Sequence, residues 1–213
     1  MRRTMKLKSP FLALLLFCVG LHASGYDFEQ GGIYYDFWGT ETDEETGQRY
    51  ETVGVTYKYS YNEGGNSYQG DINIPSSVVY YDVTSCNIIS YKVKRVFNSA
   101  FFNCDGLTSV SIPNTVTIIG NFAFGNCILL KSVTMGNSVK EIGASAFENC
   151  RSLTSIDIPN SVINIGLEAF QNCSGSTSVT MGNSVKSIGT YAFRYCSGLT
   201  SVTIPNSVRS IGD

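Results

Sequence analysis

Histidine is nearly absent from this chain of 213 residues, since His22 is the only one. It lies in an N-terminal stretch with the pattern of a secretory signal, so the exported chain would contain no histidine at all. Ser-His-Asp triads, Cys-His nucleophile pairs and zinc sites with histidine ligands are therefore excluded. Tryptophan is also scarce, with Trp38 alone, and charged residues make up 15% of the chain.

The N-terminal stretch also lacks the length of a membrane span. Four basic residues precede an apolar run at residues 11–21, which is too short to cross a bilayer comfortably and is typical of a signal peptide. We expect residues 1–25 to be removed, leaving a chain without a transmembrane segment that is secreted or held at the cell surface. That chain carries 11 Lys and Arg against 17 Asp and Glu, a net charge of −6, which argues against a nucleic-acid partner.

Cysteine spacing reveals an internal repeat. Five of the seven cysteines are 23 residues apart each time, within the pattern C-x-x-L-x-x-V-x-I-P-N-S-V-x-x-I-G-x-x-A-F-x-x. Four full repeats occupy residues 104–195, and a truncated repeat occupies 196–213. A period of this size is typical of a solenoid, in which each repeat forms one coil. The periodic cysteines are Cys104, Cys127, Cys150, Cys173 and Cys196.

Each repeat predicts a short strand followed by a turn, so the fold class is a mainly β repeat protein. Val110 and Ile112 alternate with serines, as in a strand stacked in parallel on its neighbours. Pro113 ends this strand because proline cannot donate to a ladder. Gly120 predicts either a positive φ or a close backbone approach, followed by a 3-10 or short helical turn that carries an Ala-Phe pair. Ser176 takes the place of a core leucine and predicts a local packing defect.

The chain before the first full repeat divides into two regions. Residues 72–103 form a divergent first repeat, in which an insertion at 79–92 separates two half-repeats. Residues 26–71 show no period and are rich in tyrosine, with alternation at Tyr57, Tyr59 and Tyr61 that is typical of a strand. We interpret residues 26–71 as a small N-terminal β cap over the first coil.

The repeat resembles the BspA-like leucine-rich repeats. The residues that carry this resemblance are L-T-S-I-D-I-P-N-S-V-I-N-I-G-L-E-A-F-Q-N-C at 153–173 and the matching L-T-S-V-T-I-P-N-S-V-R-S-I-G at 199–212. The Y-D-F-E-Q-G-G-I-Y-Y segment at 26–35 is similar to the mature starts of exported members from Bacteroides-type bacteria. The resemblance implies a curved leucine-rich-repeat solenoid at the cell surface that acts as an adhesin or binds host proteins.

Columns of identical residues should stack along such a solenoid. The periodic cysteines lie at an inward phase and are expected to be buried thiols, with disulfides or a metal site as alternatives. Cys86 breaks the period and is the cysteine most suited to be free or bridged. Asparagines after each strand should bond turn backbones from coil to coil. These asparagines are Asn114, Asn137, Asn160, Asn183 and Asn206.

The outward-facing strand positions form our candidate binding surface, which we call the hydroxyl face. Small hydroxyl side chains occupy almost every position, which suits broad contacts with a protein or glycan but also suits exposed strands in general. The hydroxyl face consists of Ser109, Ser111, Ser132, Thr134, Ser155, Asp157, Ser178, Thr180, Ser201 and Thr203.

No catalytic or cofactor site emerges from these patterns. A hydrolase would need a carboxylate pair, and the repeat equivalents of Asp157 are Ser or Thr. The acidic run Glu41, Asp43, Glu44 and Glu45 lacks the spacing of a calcium loop, so we interpret it as a solvated hairpin. We predict no metal, no cofactor and no enzymatic activity.

The sequence therefore predicts an exported binding protein that engages a host or neighbouring-cell protein through its solenoid. The alternative is a glycan-binding envelope protein that uses Trp38 and the tyrosines of the cap as stacking platforms.

Overall fold

The repeats form parallel strands on two sides of a shared core. The structure is a computed structural model that describes residues 28–30, 33–42, 49–56, 68–82 and 86–213. These residues contain fifteen strands and no α-helix or 3-10 helix. Ten strands form one long sheet, and the other five form a three-stranded and a two-stranded sheet.

The strand bounds follow the predicted periodicity from the first full repeat onward. The strands before it are β1 (Phe28–Gln30), β2 (Ile33–Thr42), β3 (Arg49–Thr56), β4 (Gly70–Asn73), β5 (Ser77–Asp82) and β6 (Asn87–Val96). The repeats add β7 (Leu107–Ser111), β8 (Ile118–Ile119), β9 (Ser132–Thr134), β10 (Glu141–Ile142), β11 (Ser155–Ile158), β12 (Asn164–Ile165), β13 (Ser178–Met181), β14 (Ser187–Ile188) and β15 (Ser210–Ile211).

Parallel pairing keeps equivalent residues of successive repeats in register. In the long sheet, Ile142 pairs with Ile119 on one side and Ile165 on the other, each 23 residues away. In the short sheets, β4, β7 and β9 pair in that order, and β11 pairs with β13. Every phase of the repeat therefore stacks on itself along the solenoid.

The N-terminal region extends the long sheet. Strands β1, β2 and β3 are antiparallel, and β3 then pairs in parallel with β6, which begins the run of repeat strands. The inserted segment forms an antiparallel hairpin of β5 and β6, with Cys86 just before β6. Tyr68 packs its ring 4.6 Å from that of Phe101 and donates its hydroxyl to the carbonyl of Thr56. This tyrosine therefore joins strand β3 to the first ring of the core.

The core is built around a column of stacked phenylalanines. Successive ring centroids are 4.9, 5.1, 5.2 and 5.5 Å apart, and the rings are within 8° of parallel. Leucine, valine, isoleucine and alanine at their own phases fill the space around this column. Ser176 is fully buried there, and its hydroxyl donates to the carbonyl of Leu153 at 2.8 Å. This hydrogen bond offsets the cost of burying the hydroxyl, although the volume of the missing leucine is still lost. The column comprises Phe101, Phe124, Phe147, Phe170 and Phe193.

The periodic glycine is required by close approach between coils. A Cβ added to Gly166 would lie 2.6 Å from the backbone nitrogen of Ala144 and equally close to the carbonyl carbon of Gly143. Among the glycines that the structure describes, Gly70 alone has a positive φ. Of the two reasons predicted for this glycine, close approach is therefore the one observed. The segment after it forms consecutive hydrogen-bonded turns, from an N–H to the third carbonyl before it, as at Ala169 and Gly166.

A second column of asparagines, just before the cysteines, combines amide hydrogen bonds with left-handed backbone. Asn149 has a φ of 60° and donates from Nδ2 to Oδ1 of Asn126 at 2.7 Å. Asn172 donates in the same way to Asn149 at 2.9 Å. Asparagine tolerates the left-handed region better than other residues that carry a Cβ. Asn149 thus adopts the backbone conformation that the turn requires, and its side chain links three coils.

Replacing Gly166 with alanine should lower the free energy of unfolding by about 1–3 kcal/mol, because the new methyl group must push two backbones apart. Urea unfolding followed by circular dichroism measures this loss. Gly106→Ala is the matched control, since its Cβ would meet the exposed Gln69 side chain, which can swing aside. The control should change stability by less than about 0.5 kcal/mol. Equal losses in both variants would contradict the close-approach explanation.

Asn149→Ala should cost about 1–3 kcal/mol of stability, because it removes two amide hydrogen bonds and leaves a non-glycine residue at positive φ. Asn149→Gly removes the same bonds but accepts this φ freely, so we expect a smaller loss. Thermal and urea unfolding of the two variants separate the contributions. A glycine variant less stable than the alanine variant would contradict the expected backbone strain at this position.

Candidate functional site

Parallel strands align most of the hydroxyl face. Ser109 pairs with Ser132 and Ser111 with Thr134 between β7 and β9, while Asp157 pairs with Thr180 between β11 and β13. The members on β9 and β13, together with Asp157, are exposed, whereas Ser109, Ser111 and Ser155 are half-buried. The ladder is interrupted between β9 and β11, which belong to different sheets.

The outermost two members of the hydroxyl face do not lie on a strand. Ser201 and Thr203 were expected at outward strand positions, but residues 199–205 form no strand. Ile204, which the repeat places inward, is 43% exposed. A parallel strand needs a regular ladder of hydrogen bonds, and this segment makes none with β13. The strand-borne part of the hydroxyl face therefore ends at Thr180.

Asp157 organises the centre of the hydroxyl face. Its Oδ1 accepts a hydrogen bond from the Thr180 hydroxyl at 2.6 Å, and its Oδ2 accepts one from Ser155 at 3.0 Å. Beside it lies an open depression of about 260 Å³, lined by Thr134, Asp157 and Thr180 together with the edges of apolar side chains. A carboxylate held by two hydroxyls is oriented before any ligand arrives, which lowers the ordering cost of binding.

A second aspartate lies on this surface and was not predicted from the sequence. Asp71 pairs with Ser109 across β4 and β7, and its Oδ1 accepts hydrogen bonds from Ser109 at 2.6 Å and from Thr108 at 2.8 Å. These two bonds lower the pKa of the Asp71 carboxyl, because they stabilise its ionised form. The half-repeat at Ile72 and Ile74 already placed residue 71 at the phase of Ser109, and this signal could have identified it.

Two exposed aliphatic residues lie at one end of the strands that carry the hydroxyl face. Ile128 and Leu129 are 42% and 48% exposed, and they occupy phases that hold Asp105 and Gly106 in the repeat before. They precede strand β9, and the exposed Lys131 lies close in sequence. Exposed apolar groups rimmed by polar ones are common at protein interaction sites. A break in the repeat pattern at residues 128–129 was the available signal.

The periodic cysteines lie in the core and contact backbone. Cys127 donates its thiol to the carbonyl of Phe101 at 3.0 Å, and Cys150 donates to Phe124 at 3.2 Å. The next two cysteines make the same bond to the equivalent phenylalanine carbonyls. No disulfide joins one periodic cysteine to another in the structure. Burial raises the pKa of the Cys150 thiol from an ordinary value of 9.0 to about 12.

This shift predicts a loss of stability in alkali. The buried Cys150 thiol stays protonated while the same thiol in the unfolded chain ionises above about pH 9, so the free energy of the unfolded state falls relative to that of the folded state as the pH rises. Between pH 8 and pH 10, Cys150→Ala should therefore lose about 1.4 kcal/mol less stability than the unmodified protein. Urea midpoints at the two pH values test this. Identical pH dependence in the two proteins would contradict a buried, protonated thiol.

Two of the asparagines after the strands, Asn114 and Asn160, bond to the backbone of the next repeat. Oδ1 of Asn114 accepts from the N–H of Asn137 at 2.8 Å, and Oδ1 of Asn160 accepts from that of Asn183 at 2.9 Å. These contacts run along the outer edge of the hydroxyl face and hold its strand ends at a fixed separation.

Several predicted features fall outside the described side chains. Trp38 lies in β2 where the register with β3 shifts, but its side chain is not described. The signal segment 1–25, the tyrosines at 57, 59 and 61 and the acids at 43–45 lie outside the described residues. Within the described ranges, no group of three or more His, Cys, Asp and Glu residues is placed to share a metal ion. No helix in that part of the chain is long and apolar enough to cross a membrane.

Comparison with known families identifies the repeat. The profile of the BspA type leucine rich repeat region matches residues 94–213 in six copies. The match covers more than half of the chain, and the chain belongs to this family. The family and the mainly β repeat fold predicted from the sequence are both confirmed. No curated protein matched the sequence.

Solved structures of bacterial leucine-rich repeat proteins share this fold. The leucine rich repeat protein of T. pallidum is 27% identical, with a TM-score of 0.61 over 83% of this chain and 79% of that one. A leucine-rich repeat protein from Bacteroides ovatus is 32% identical, with a TM-score of 0.64 over 88% of this chain but only 44% of its own length. A leucine rich cell surface protein from Faecalibacterium prausnitzii is 27% identical, with a TM-score of 0.53, over 87% and 50% of the two chains.

Proposed function

We propose that this protein is an exported cell-surface binding protein whose hydroxyl face engages a protein of a host or a neighbouring cell. The observation that carries this proposal is the alignment of hydroxyls across four repeat strands around the oriented carboxylate of Asp157. Membership of a leucine-rich repeat family supports a role in protein interaction or adhesion. The cell-surface relative from F. prausnitzii supports the proposed location.

The shape of the hydroxyl face favours a macromolecular partner over a small molecule. Small-molecule pockets bury most of their ligand within an enclosed cavity, whereas the depression beside Asp157 is open and about 260 Å³ in volume. The hydroxyl face instead offers two neighbouring sets of parallel strands lined with polar groups, an extended surface of the kind that solenoids present to extended partners. Ile128 and Leu129 would add an apolar contact at one end, since exposed apolar groups rimmed by polar ones are common at protein interaction sites.

A binding role also agrees with the chemistry at this surface. Asp71 and Asp157 each accept hydrogen bonds from neighbouring hydroxyls, which orients both carboxylates for recognition of a partner. We therefore propose a non-enzymatic scaffold. Export through residues 1–25 remains part of the proposal. Glycan binding through Trp38 and the cap remains the alternative.

The double variant Thr134→Arg/Thr180→Arg tests this function. Both threonines are exposed strand residues, so arginine adds bulk and charge to the hydroxyl face while leaving the core intact. Binding of the purified protein to immobilised extracellular-matrix and cell-surface proteins should weaken at least about tenfold, a loss of roughly 1.4 kcal/mol.

The matched control is Asn164→Arg/Ser210→Arg, which adds the same charges on exposed residues of the long sheet, also 46 residues apart. It should leave protein binding within about twofold of the original. Unchanged binding in the Thr134 and Thr180 variant would refute the hydroxyl face as the site. Binding to neutral polysaccharides alone, lost on Trp38→Ala, would support the cap instead.

A further inference from the structure

The charges of this protein are divided unevenly between its two regions. Residues 26–71 contain 10 acidic and 2 basic residues, whereas residues 72–213 contain 7 acidic and 9 basic residues. The overall negative net charge is therefore the sum of a negatively charged N-terminal region and a positively charged solenoid. Such an asymmetry is often associated with an anionic partner.

Six of the nine basic residues of the solenoid share one side of the long sheet, which we call the basic edge. Three lie on β6, and the others each stand just before β10, β14 and β15. One acidic residue among residues 86–213, Glu141, shares this edge. The basic edge consists of Lys92, Lys94, Arg95, Lys140, Lys186 and Arg209.

Backbone hydrogen bonds align four of these residues in a single column. From the second residue of the column onward, each N–H donates to the carbonyl of the residue 23 positions earlier, in every case at 2.8 Å. Lys140 and Lys186 are separated by one intervening coil, so their backbones lie about 10 Å apart, and the whole column spans about 25 Å. In order, the column is Lys94, Thr117, Lys140, Ile163, Lys186 and Arg209.

The later part of the column places like charges together. Lys186 and Arg209 occupy the same phase in adjacent coils, just before β14 and β15. Like charges directly opposite each other on neighbouring strands are destabilising. Among the described residues, Lys140, Lys186 and Arg209 make no ion pair. An anionic ligand lying along the column would relieve this repulsion, and nothing in the repeat pattern itself requires cations there, because Thr117 and Ile163 hold the same phase.

Polar side chains suited to sugar hydroxyls run beside the column. Asn164 and Ser187 occupy the adjacent phase of the long sheet, and the Ser187 hydroxyl donates to Oδ1 of Asn164 at 2.8 Å. Their remaining donors and acceptors point to solvent-accessible space, since Asn164 is exposed and Ser187 is half-buried. Hydroxyl and amide groups of this kind can both donate to and accept from a polyhydroxylated ligand.

We propose that the basic edge binds a linear acidic polysaccharide along the axis of the solenoid. Its carboxylate or sulfate groups would meet Lys140, Lys186 and Arg209, while its hydroxyls would meet Asn164 and Ser187. This surface lies on the long sheet, away from the hydroxyl face on the short sheets, so the two sites can be occupied together.

The geometry favours this ligand over nucleic acid or a membrane. Single-stranded nucleic acid is held by aromatic side chains interleaved with the cations, and the column contains Thr117 and Ile163 at its uncharged positions. A membrane presents a plane of headgroups and attracts broad basic patches, whereas this edge is a single row. Charges about 5 to 10 Å apart in one row suit a linear polymer with an acidic group on every one or two units better than the dense phosphates of a duplex.

The test is binding of the mature protein to immobilised heparin and to polygalacturonate. Lys140→Gln/Lys186→Gln/Arg209→Gln should weaken binding at least about tenfold. It should also reduce the slope of log Kd against log salt by roughly one for each cation removed, because fewer counterions are released. All three substitutions lie on the surface, and urea unfolding checks that the variant folds.

A second triple variant, Lys131→Gln/Arg151→Gln/Arg194→Gln, changes the net charge equally at positions off the basic edge. It should bind within about twofold of the original protein, as should the Thr134 and Thr180 variant of the hydroxyl face. Equal weakening in both triple variants would overturn the proposal, because net charge alone would then explain binding. Duplex DNA or anionic vesicles that bind more tightly than either polysaccharide would also overturn it.

The proposal can also be tested by adding a cation to the basic edge instead of removing one. Ile163 is 39% exposed in the gap between Lys140 and Lys186, so Ile163→Lys would complete the row of cations. We expect severalfold tighter binding to heparin, whose charges are dense. The control Ile128→Lys, on a residue of similar exposure elsewhere, should leave heparin binding nearly unchanged. Equal tightening by both would count against the basic edge.

Discussion

The separation of about 5 Å between successive coils governs the rest of this solenoid. Phenylalanine rings stack at 4.9 to 5.5 Å along the core, close to the spacing of hydrogen-bonded strands. At that distance each side chain meets its own equivalent above and below. A residue is therefore suitable only if copies of it can stack, which explains columns of flat rings, of amides that pair head to tail, and of thiols that reach a neighbouring carbonyl.

The same constraint leaves few positions at which function can be encoded. Inward phases are fixed by stacking, and turn phases are fixed by glycine or asparagine, so ligand recognition must use outward positions or breaks in the pattern. On the hydroxyl face, Asp71 and Asp157 differ from the residues at the same phase in other repeats. On the long sheet, the lysines of the basic edge differ in the same way. The strands that carry Asp71 and Asp157 each pair with a strand of the next repeat, and both carboxylates accept hydrogen bonds from neighbouring hydroxyls, so these recognition groups are ordered before a ligand binds and lose little entropy on binding.

Much of the fold follows from the sequence because the same pattern of inward, outward and turn residues recurs in every repeat. The period, the inward residues, the parallel strands and the buried cysteines were all predicted from spacing alone. What the sequence could not supply depends on contacts between coils. It did not decide between a positive φ and close approach at Gly166, reveal that the Ser176 hydroxyl finds the carbonyl of Leu153, or show that no strand forms around Ser201. Those outcomes depend on distances that no single repeat contains.

Successive repeats alternate between two sequence forms, and this alternation has a physical cause. Repeats with proline after the strand alternate with repeats that have glycine there, which suggests duplication of a 46-residue pair. A Cβ on Gly182 would lie 2.5 Å from the carbonyl oxygen of Pro159, so the repeat after a proline needs glycine to keep the coil spacing. Because the pair is the unit that packs without strain, a charge placed once in each pair recurs about every 10 Å. Lys140 and Lys186 recur in this way, and the periodicity of the basic edge is thus inherited from backbone packing in the core.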